Sequence, residues 1–145
     1  MQIIKYKDSK MKISKKAEYG LTAMVHLAKS QFRNKASKNS KAVSIRQISN
    51  IEGVPFDFLS KIFSGLEKAG LVSSKHGANG GYYLAKPANT ITAGIIVETI
   101  EGKINPVNCF LCSKAKTCMS KNVWDKVGKS LSKTLYSIKL SDLIK

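Results

Sequence analysis

Three cysteines within ten residues are the most chemically reactive group in this 145-residue sequence. Cys109, Cys112 and Cys118 follow a Cys-x2-Cys-x5-Cys spacing. Crowded thiolates repel one another unless a cation lies among them, and thiolates are ligands of iron–sulfur clusters and of zinc. The spacing matches neither a zinc ribbon nor a ferredoxin run, so a cluster, zinc, a metal-free redox switch and inert cysteines all stay open. Lys114 and Lys116 lie between the cysteines and are expected to lower the thiol pKa values.

The absence of membrane-spanning and secretory patterns indicates the cellular compartment in which these thiols lie. No uninterrupted run of about 18 apolar residues predicts a membrane span, and the first residues lack the apolar stretch and cleavage site of a secretory signal. We therefore expect a cytoplasmic protein that does not bind a membrane and has reduced thiols. A thiol oxidoreductase using Cys109 and Cys112 is disfavoured, because no strand–CxxC–helix pattern and no nearby histidine base accompany them. We expect the chain not to be an enzyme.

The charge of the chain predicts a polyanionic partner. Twenty-five Lys and Arg against nine Asp and Glu give a formal net charge of +16, which attracts nucleic acid in a salt-dependent way. The excess is greatest in residues 1–41, which hold 11 basic and 2 acidic residues. Only Arg33 and Arg46 are arginines, so a lysine-rich surface that serves solubility alone is the alternative.

Helical periodicity organises the first half of the chain. Ser14 is expected to cap a first helix with one apolar face, and the polar residues 30–42 are expected to form a loop. Ser44 and Gln47 form a capping box for a short second helix that Gly53 ends. The side of this second helix that we expect to be buried consists of Ile45, Ile48 and Ile51.

A third helix and a hairpin follow directly. Pro55 is expected at the first helical position, and the buried stripe consists of Leu59, Ile62, Phe63, Leu66 and Ala69. Residues 71–75 and 82–84 are predicted to pair as strands around the glycine-rich residues 77–81. Two short helices and a hairpin in this order are typical of a winged helix–turn–helix, whose second helix enters the DNA major groove.

The surface of this unit supplies the candidate DNA contacts. The candidate residues of the third helix lie off its apolar stripe. The candidate residues of the hairpin lie at or beside its tip, which has no bulky side chain and is therefore narrow enough to enter a minor groove. Phe56 is expected to complete the core, whereas Phe58 suits the core and the DNA surface equally. The predicted DNA-binding residues are Phe58, Ser60, Lys61, Ser64, Lys75, His76, Asn79 and Gly80.

Two further helices flank the cysteines. Thr92 is expected to cap a helix that Gly102 ends, and Ser120 to begin a long helix through about residue 138. In the long helix, apolar residues recur at near-heptad spacing and predict a helical partner; they are Trp124, Val127, Leu131, Leu135 and Ile138. The predicted fold is mainly α with a small β-hairpin wing: a winged helix–turn–helix DNA-binding domain over 11–90, then a cysteine loop and a long C-terminal dimerisation helix over 91–145.

Several motifs resemble the IscR/NsrR (Rrf-two) family of bacterial winged-helix transcriptional regulators. The segment Met-Lys-Ile-Ser-Lys-Lys-Ala-Glu-Tyr-Gly at 11–20 is similar to the family's opening, and residues 59–72 to its recognition helix and turn. Gly77-x-x-Gly-Gly-Tyr82 is similar to its wing, and residues 91–102 to the helix that follows. The resemblance implies a homodimeric transcription factor, often a repressor, that binds a roughly palindromic operator in double-stranded DNA.

The resemblance also implies roles for the cysteines and for one carboxylate. Cys109, Cys112 and Cys118 stand where relatives hold a 2Fe–2S or 4Fe–4S cluster, and Glu18 stands where nitric-oxide-sensing relatives supply a fourth ligand from the other subunit. The signal expected is iron–sulfur status, redox state or nitric oxide. His76 replaces the usual arginine of the wing, and Ser60 replaces a glutamate of the recognition helix in some members. The alternatives are the same fold regulated without a cluster, through thiol redox or a partner protein, and a basic zinc-containing RNA-binding protein.

Overall fold

Five α-helices and one antiparallel hairpin form the part of the chain that the computed structural model describes, which is residues 13–34, 42–107, 113–114 and 116–145. The helices are α1 (Lys15–Asn34), α2 (Ile45–Glu52), α3 (Phe56–Lys68), α4 (Ala93–Glu101) and α5 (Lys121–Ser137). Strands β1 (Val72–Lys75) and β2 (Gly81–Leu84) lie between α3 and α4. Short 3-10 turns cover Ala88–Thr90 and Leu140–Leu143. The predicted fold class, mainly helical with a small hairpin, is confirmed.

Helix α1 is the longest element and begins as expected. The Ser14 hydroxyl accepts a hydrogen bond from the Ala17 amide at 3.2 Å, which satisfies one of the free N–H groups of the first turn. The helix continues to Asn34, so the prediction that the loop begins at Ser30 is wrong. Gln31 and Arg33 are polar but favour the helical backbone, and polarity alone does not end a helix.

Helices α2 and α3 form the predicted helix–turn–helix. The capping box at Ser44 and Gln47 is present on both sides, and Gly53 adopts the left-handed conformation, with φ of 66°, that ends α2. Pro55 has an extended ψ of 133° and precedes α3 instead of starting it. The prediction for Ile51 is wrong, because it is 66% exposed. Steps of three residues fall behind a 3.6-residue turn by about 60° each, so the third isoleucine faces solvent.

The hairpin is joined to the helix–turn–helix by a third extended residue. β1 and β2 pair in register from Val72 with Leu84 to Lys75 with Gly81. On the other edge of β2, Val43 forms a bridge with Tyr82, with hydrogen bonds of 2.9 and 2.8 Å in the two directions. Val43 immediately precedes the capping box of α2, so this bridge fixes the position of the wing relative to α2.

The hydrophobic core lies between α1, α2, α3 and α4 and includes a residue from the far end of the sequence. Phe63, Met24, Leu27, Ile96 and Leu140 are all essentially inaccessible to solvent. Leu140 reaches the core because its amide bonds to the Ile91 carbonyl at 2.8 Å, beside an Ala93-to-Ile138 bond of 2.9 Å. The core therefore crosses the boundary at residue 90, and the division into 11–90 and 91–145 stays a prediction. None of the helices within the described ranges is both long enough and apolar enough to pass through a bilayer.

Candidate nucleic-acid interface and cysteine segment

Helix α3 turns one face to the core and the other to solvent. Leu59, Ile62, Phe63 and Leu66 are buried at the spacing of one helical stripe. On the opposite side, Lys61 and Ser64 are exposed and Ser60 is half-buried. These three predicted DNA-binding residues thus lie off the buried stripe, as expected, and a rigid core holds the helix that displays them.

The two aromatic residues at the start of α3 differ in their surroundings. Phe58 is half-buried and packs edge-to-face against Tyr19 of α1, with 5.7 Å between ring centroids. It joins α1 to α3, which favours the packing alternative for this residue. Phe56 is 42% exposed, so the expectation that it completes the core is wrong. The guanidinium of Arg46 lies over the Phe56 ring, 5.3 Å from its centroid.

The wing displays the remaining predicted DNA contacts. Lys75, His76 and Asn79 are exposed, and Gly80 is half-buried. The tip closes through a hydrogen bond from the Gly80 amide to the Gly77 carbonyl at 2.9 Å. A Cβ added at Gly80 would lie 2.8 Å from that carbonyl oxygen, so the tight tip excludes a larger residue.

A carboxylate links the wing to α3. The backbone amide and the hydroxyl of Ser74 both donate to Glu67 Oε1, at 3.2 and 2.6 Å. The two hydrogen bonds stabilise the Glu67 carboxylate and fix its side chain against the wing. The hydrogen bonds from Ser74, together with the Val43–Tyr82 bridge, make the wing and the recognition helix one unit. Sequence reasoning missed Glu67, because the pattern of a helix does not show which of its polar residues touches the next element.

Cys118 is the one predicted ligand cysteine within the described residues; Cys109 and Cys112 lie outside them. Its thiol is exposed, and its Sγ lies 3.2 Å from the Ser120 hydroxyl. The hydrogen bond with the Ser120 side chain, followed by contact with the backbone N–H of Ser120, lowers the pKa of the Cys118 thiol below its ordinary value. The expectation assigned this effect to Lys114 and Lys116, whereas here it arises where the chain enters α5.

The remaining candidate ligand, Glu18, lies on α1. Glu18 is exposed and forms a 3.0 Å ion pair with Lys15, a surface contact that costs little to break. His26 contacts Glu52 through Nδ1 at 3.1 Å, so one of its ring nitrogens already has a protein partner. No three His, Cys, Asp or Glu side chains come together around a possible metal position in the described part of the chain. An accessible thiol with a lowered pKa fits a soft metal centre such as an iron–sulfur cluster, whereas the Glu18 carboxylate is a hard ligand that such centres rarely take.

Helix α5 packs on α4 along one side only. Its buried Gly128 lies against Pro106, and the Tyr136 ring covers Gly94. Tyr136 also donates a hydrogen bond to Glu98 of α4. Away from this contact, Val123 is 56% exposed and Leu131 is 38% exposed. Apolar side chains of α5 thus remain accessible in the single chain.

Comparisons with known proteins agree with one another. A family model described as Rrf2, an iron-dependent transcriptional regulator, matches residues 13–145. The chain is 34% identical over 133 residues to the HTH-type transcriptional regulator CymR of Bacillus subtilis, covering 92% of this chain and 89% of CymR. It is 30% identical over 138 residues to the HTH-type transcriptional regulator IscR of Vibrio campbellii, covering 93% of this chain and 78% of that protein.

Solved structures of such proteins have the same fold. CymR, described as the global cysteine regulator of B. subtilis, matches with a TM-score of 0.74 at 34% identity, over 92% of this chain and 95% of that one. IscR of T. potens also matches with a TM-score of 0.74 at 34% identity, over 92% and 85% of the two chains. The relatives are named as transcriptional regulators and not as enzymes, in agreement with the expectation from the sequence.

Proposed function

Because this chain belongs to the Rrf2 family of transcriptional regulators, we propose that it acts in the cytoplasm as a homodimeric repressor of operators with inverted-repeat symmetry. That it is a DNA-binding transcriptional regulator follows from the family itself. The dimer, the palindrome and the repressor role belong to the proposal. The observation that carries it is the solvent-facing side of α3 beside a wing that Glu67 and Val43 hold in place.

The proposed DNA contacts divide between two grooves. Ser60, Lys61 and Ser64 face the major groove from α3. Phe58, also predicted to contact DNA, packs against Tyr19 and would act chiefly by holding α3 in place. Lys75 and His76 lie beside the wing tip, where Asn79 and Gly80 allow the backbone to approach a minor groove. The exposure of the polar and charged members of this set supports these roles.

The proposed sensory group is an iron–sulfur cluster, either 2Fe–2S or 4Fe–4S, held by Cys109, Cys112 and Cys118. Glu18 of the partner subunit completes its coordination. When bound, the cluster would respond to the signal, because its charge and its presence depend on iron, redox state or nitric oxide. Support comes from the lowered pKa of the Cys118 thiol and from the family's description as iron-dependent. Because Cys118 lies at the start of α5, ligation there would restrain the helix proposed to join the subunits.

A second candidate keeps the DNA-binding role without a cluster. Cys118 is exposed with a lowered thiol pKa, which also suits a thiol that responds to oxidants. CymR, at 34% identity, is described as a cysteine regulator. Regulation through thiol redox or a partner protein is therefore the alternative, ahead of zinc and RNA binding.

Metal analysis and an absorption spectrum of the purified protein test the proposed iron–sulfur cluster. Anaerobically purified protein is expected to absorb visible light, and to contain iron and sulfide with little zinc. Cys112→Ala is expected to fold but to lose the colour. A colourless protein after reconstitution with iron and sulfide would overturn the cluster. Zinc bound in stoichiometric amount, together with a preference for RNA, would favour the basic RNA-binding alternative.

A separate measurement tests DNA recognition. The unaltered protein is used to select duplexes from a random-sequence library, and the selected duplex is compared with a scrambled duplex of equal composition. We expect the selected sequences to contain an inverted repeat, because a two-fold symmetric dimer displays two identical recognition helices. Equal affinity for the selected and scrambled duplexes would overturn sequence-specific binding.

A further inference from the structure

The contact between Arg46 and Phe56 is unusual because neither residue is buried. Phe56 is 42% exposed, and Arg46 is exposed as well. The guanidinium carbon lies 5.3 Å from the ring centroid, within the range in which a cation is attracted to an aromatic face. The stack restricts the rotamers of a long side chain without withdrawing its N–H groups from solvent.

The position of this stack is at the start of both helices of the helix–turn–helix. Arg46 is the second residue of α2, and Phe56 is the first residue of α3. Both helices thus present their amino-terminal ends here, where free backbone N–H groups favour an anion. In a helix–turn–helix the first helix crosses the DNA backbone while the second enters the groove.

Arg46 also forms no ion pair with another of the described residues. The ion pairs among the described residues join Lys15 with Glu18, His26 with Glu52, and Lys145 with Asp142. Arg46 is therefore a restrained cation with no carboxylate partner in the described residues. Twenty-three of the 25 cationic residues are lysines. A planar guanidinium differs from them by stacking on a ring while it binds a phosphate in a bidentate manner.

We propose that Arg46 binds a backbone phosphate beside the base pairs that α3 contacts, and that Phe56 is a positioning residue that holds the guanidinium for this contact. The inference rests on the proposed DNA-binding function and adds a pair of residues to it. Sequence reasoning missed the pair, because Arg46 and Phe56 lie on different helices and meet only in the folded chain.

The test measures affinity for the selected and the scrambled duplexes at several salt concentrations. Arg46→Ala is expected to weaken binding to both duplexes by a similar factor, about tenfold, and to reduce the slope of log K against log salt by about 1.8, because the proposed dimer loses two phosphate contacts. Arg46→Lys is expected to keep the salt slope, because the charge is kept, but to lose affinity about threefold. An ammonium group cannot bind two phosphate oxygens at once in the bidentate manner of a guanidinium. The control is Arg33→Ala, which removes the other arginine, exposed at the end of α1.

Variants of Phe56 test the positioning role. Phe56→Leu is expected to weaken binding about threefold, while Phe56→Tyr keeps the ring and the affinity of the unaltered protein. Unchanged melting temperatures for both variants show that folding is not the cause.

Three results would overturn the inference. In the first, Arg46→Ala binds as well as Arg33→Ala. In the second, it loses discrimination at one base pair with an unchanged salt slope, which indicates a base contact. In the third, Phe56→Leu and Phe56→Tyr are equivalent. If the unaltered protein selects no duplex, the proposed function fails first, so the two failures are distinguishable.

Discussion

Glu67 and Lys61 show how individual side chains on α3 divide their roles. Glu67 accepts two hydrogen bonds from Ser74 of the wing, whereas Lys61 is exposed on the side opposite the buried stripe. Neutral donors stabilise a carboxylate but do not remove its charge. Glu67 therefore holds the wing against α3, and Lys61 supplies a cation at the exposed face of the helix.

Lys61→Ala is expected to weaken binding to the selected duplex about tenfold, or about 1.4 kcal/mol, because it removes a cation from the exposed face of α3. Its melting temperature is expected to stay unchanged, since the side chain is exposed. Fluorescence anisotropy at fixed salt measures the affinity. Lys126→Ala, on the exposed surface of α5, is the control for loss of one charge. Equal affinity of Lys61→Ala and the control would contradict the role of Lys61.

The positions of Lys61 and Ser64 were predictable from the sequence, because helical periodicity alone decides which residues of α3 face away from the core. The same reasoning failed for Phe56. Hydrophobicity favours burial of an aromatic residue, but Phe56 stands at the first position of the helix, where a cation from α2 covers one face of the ring. Contacts between elements depend on how the helices pack, and no pattern within one helix reveals them.

The wing owes its fixed position to backbone pairing on both edges of β2. One edge pairs with β1, and the other forms the bridge at Val43. Gly81 lies at this second contact with a φ of 151°. A Cβ on Gly81 would lie 2.5 Å from the Val43 carbonyl carbon and 2.8 Å from the Ser44 nitrogen. Glycine is therefore required here for the close approach of two backbones. The hairpin was predictable from its glycine-rich tip, but the Val43 strand was not, since a single extended residue leaves no periodic pattern.

Gly81→Ala is expected to lower the free energy of unfolding by about 1–3 kcal/mol, because the added methyl group must displace backbone atoms. Gly65→Ala makes the same chemical change inside α3, where, apart from the adjacent backbone of the helix itself, no atom of the described residues lies within 4 Å of the added Cβ. That control is expected to raise the free energy of unfolding by up to about 1 kcal/mol, through helix propensity. Urea denaturation measures both. Equal effects of the two substitutions would show that the Val43 contact is not close.

One hydrogen bond between α4 and α5 is donated by the phenol of Tyr136. The hydrogen bond from Tyr136 to Glu98, with a smaller effect from burial, raises the pKa of the Tyr136 phenol above its ordinary value. The folded state therefore favours the neutral phenol. The stabilisation from the neutral phenol is complete below the ordinary tyrosine pKa, about 10. It is lost as the pH rises through the higher pKa of Tyr136 in the folded state.

Tyr136→Phe is expected to lower the free energy of unfolding by about 0.5–1 kcal/mol near neutral pH, because the ring still covers Gly94 while the hydrogen bond is lost. The difference from the unaltered protein is expected to shrink at alkaline pH. Tyr83→Phe is the matched control, since Tyr83 is exposed on β2. Urea denaturation at neutral and alkaline pH measures the effect. A difference that does not depend on pH would contradict the role of the hydrogen bond.

The whole molecule is a helical core from which one side of α5 remains accessible. Val123 and Leu131 expose apolar surface along this helix, at or beside the near-heptad positions of the sequence. Such a seam gains stability only when another helix covers it. The fold class was predictable because the helices carry apolar residues at helical spacing, and because α1, α2 and α4 also begin with a side-chain cap. The surroundings of Cys118 were not, since the spacing of cysteines does not show that the Ser120 hydroxyl lies beside the thiol.

Leu131→Asp is expected to convert the proposed dimer to a monomer, because it places a charge in the proposed helical interface. Affinity for the selected inverted repeat is expected to fall about a hundredfold, since the two half-sites are then bound independently. Light scattering after size-exclusion chromatography measures the mass. Ser130→Asp adds the same charge at the neighbouring exposed position and is expected to stay dimeric. A dimeric Leu131→Asp would place the interface elsewhere.

The burial of Leu140 has a consequence for protein synthesis. Its side chain is inaccessible to solvent, and its amide is bonded to Ile91, so the unit that holds the recognition helix lacks one of its core residues until the ribosome has added position 140. By then the three cysteines and α5 have already been made. A nascent or truncated chain that ends before this position leaves a hydrophobic gap in the core and is expected to be less stable. The core that supports the recognition helix is therefore completed only after the segment proposed to regulate it has been synthesised.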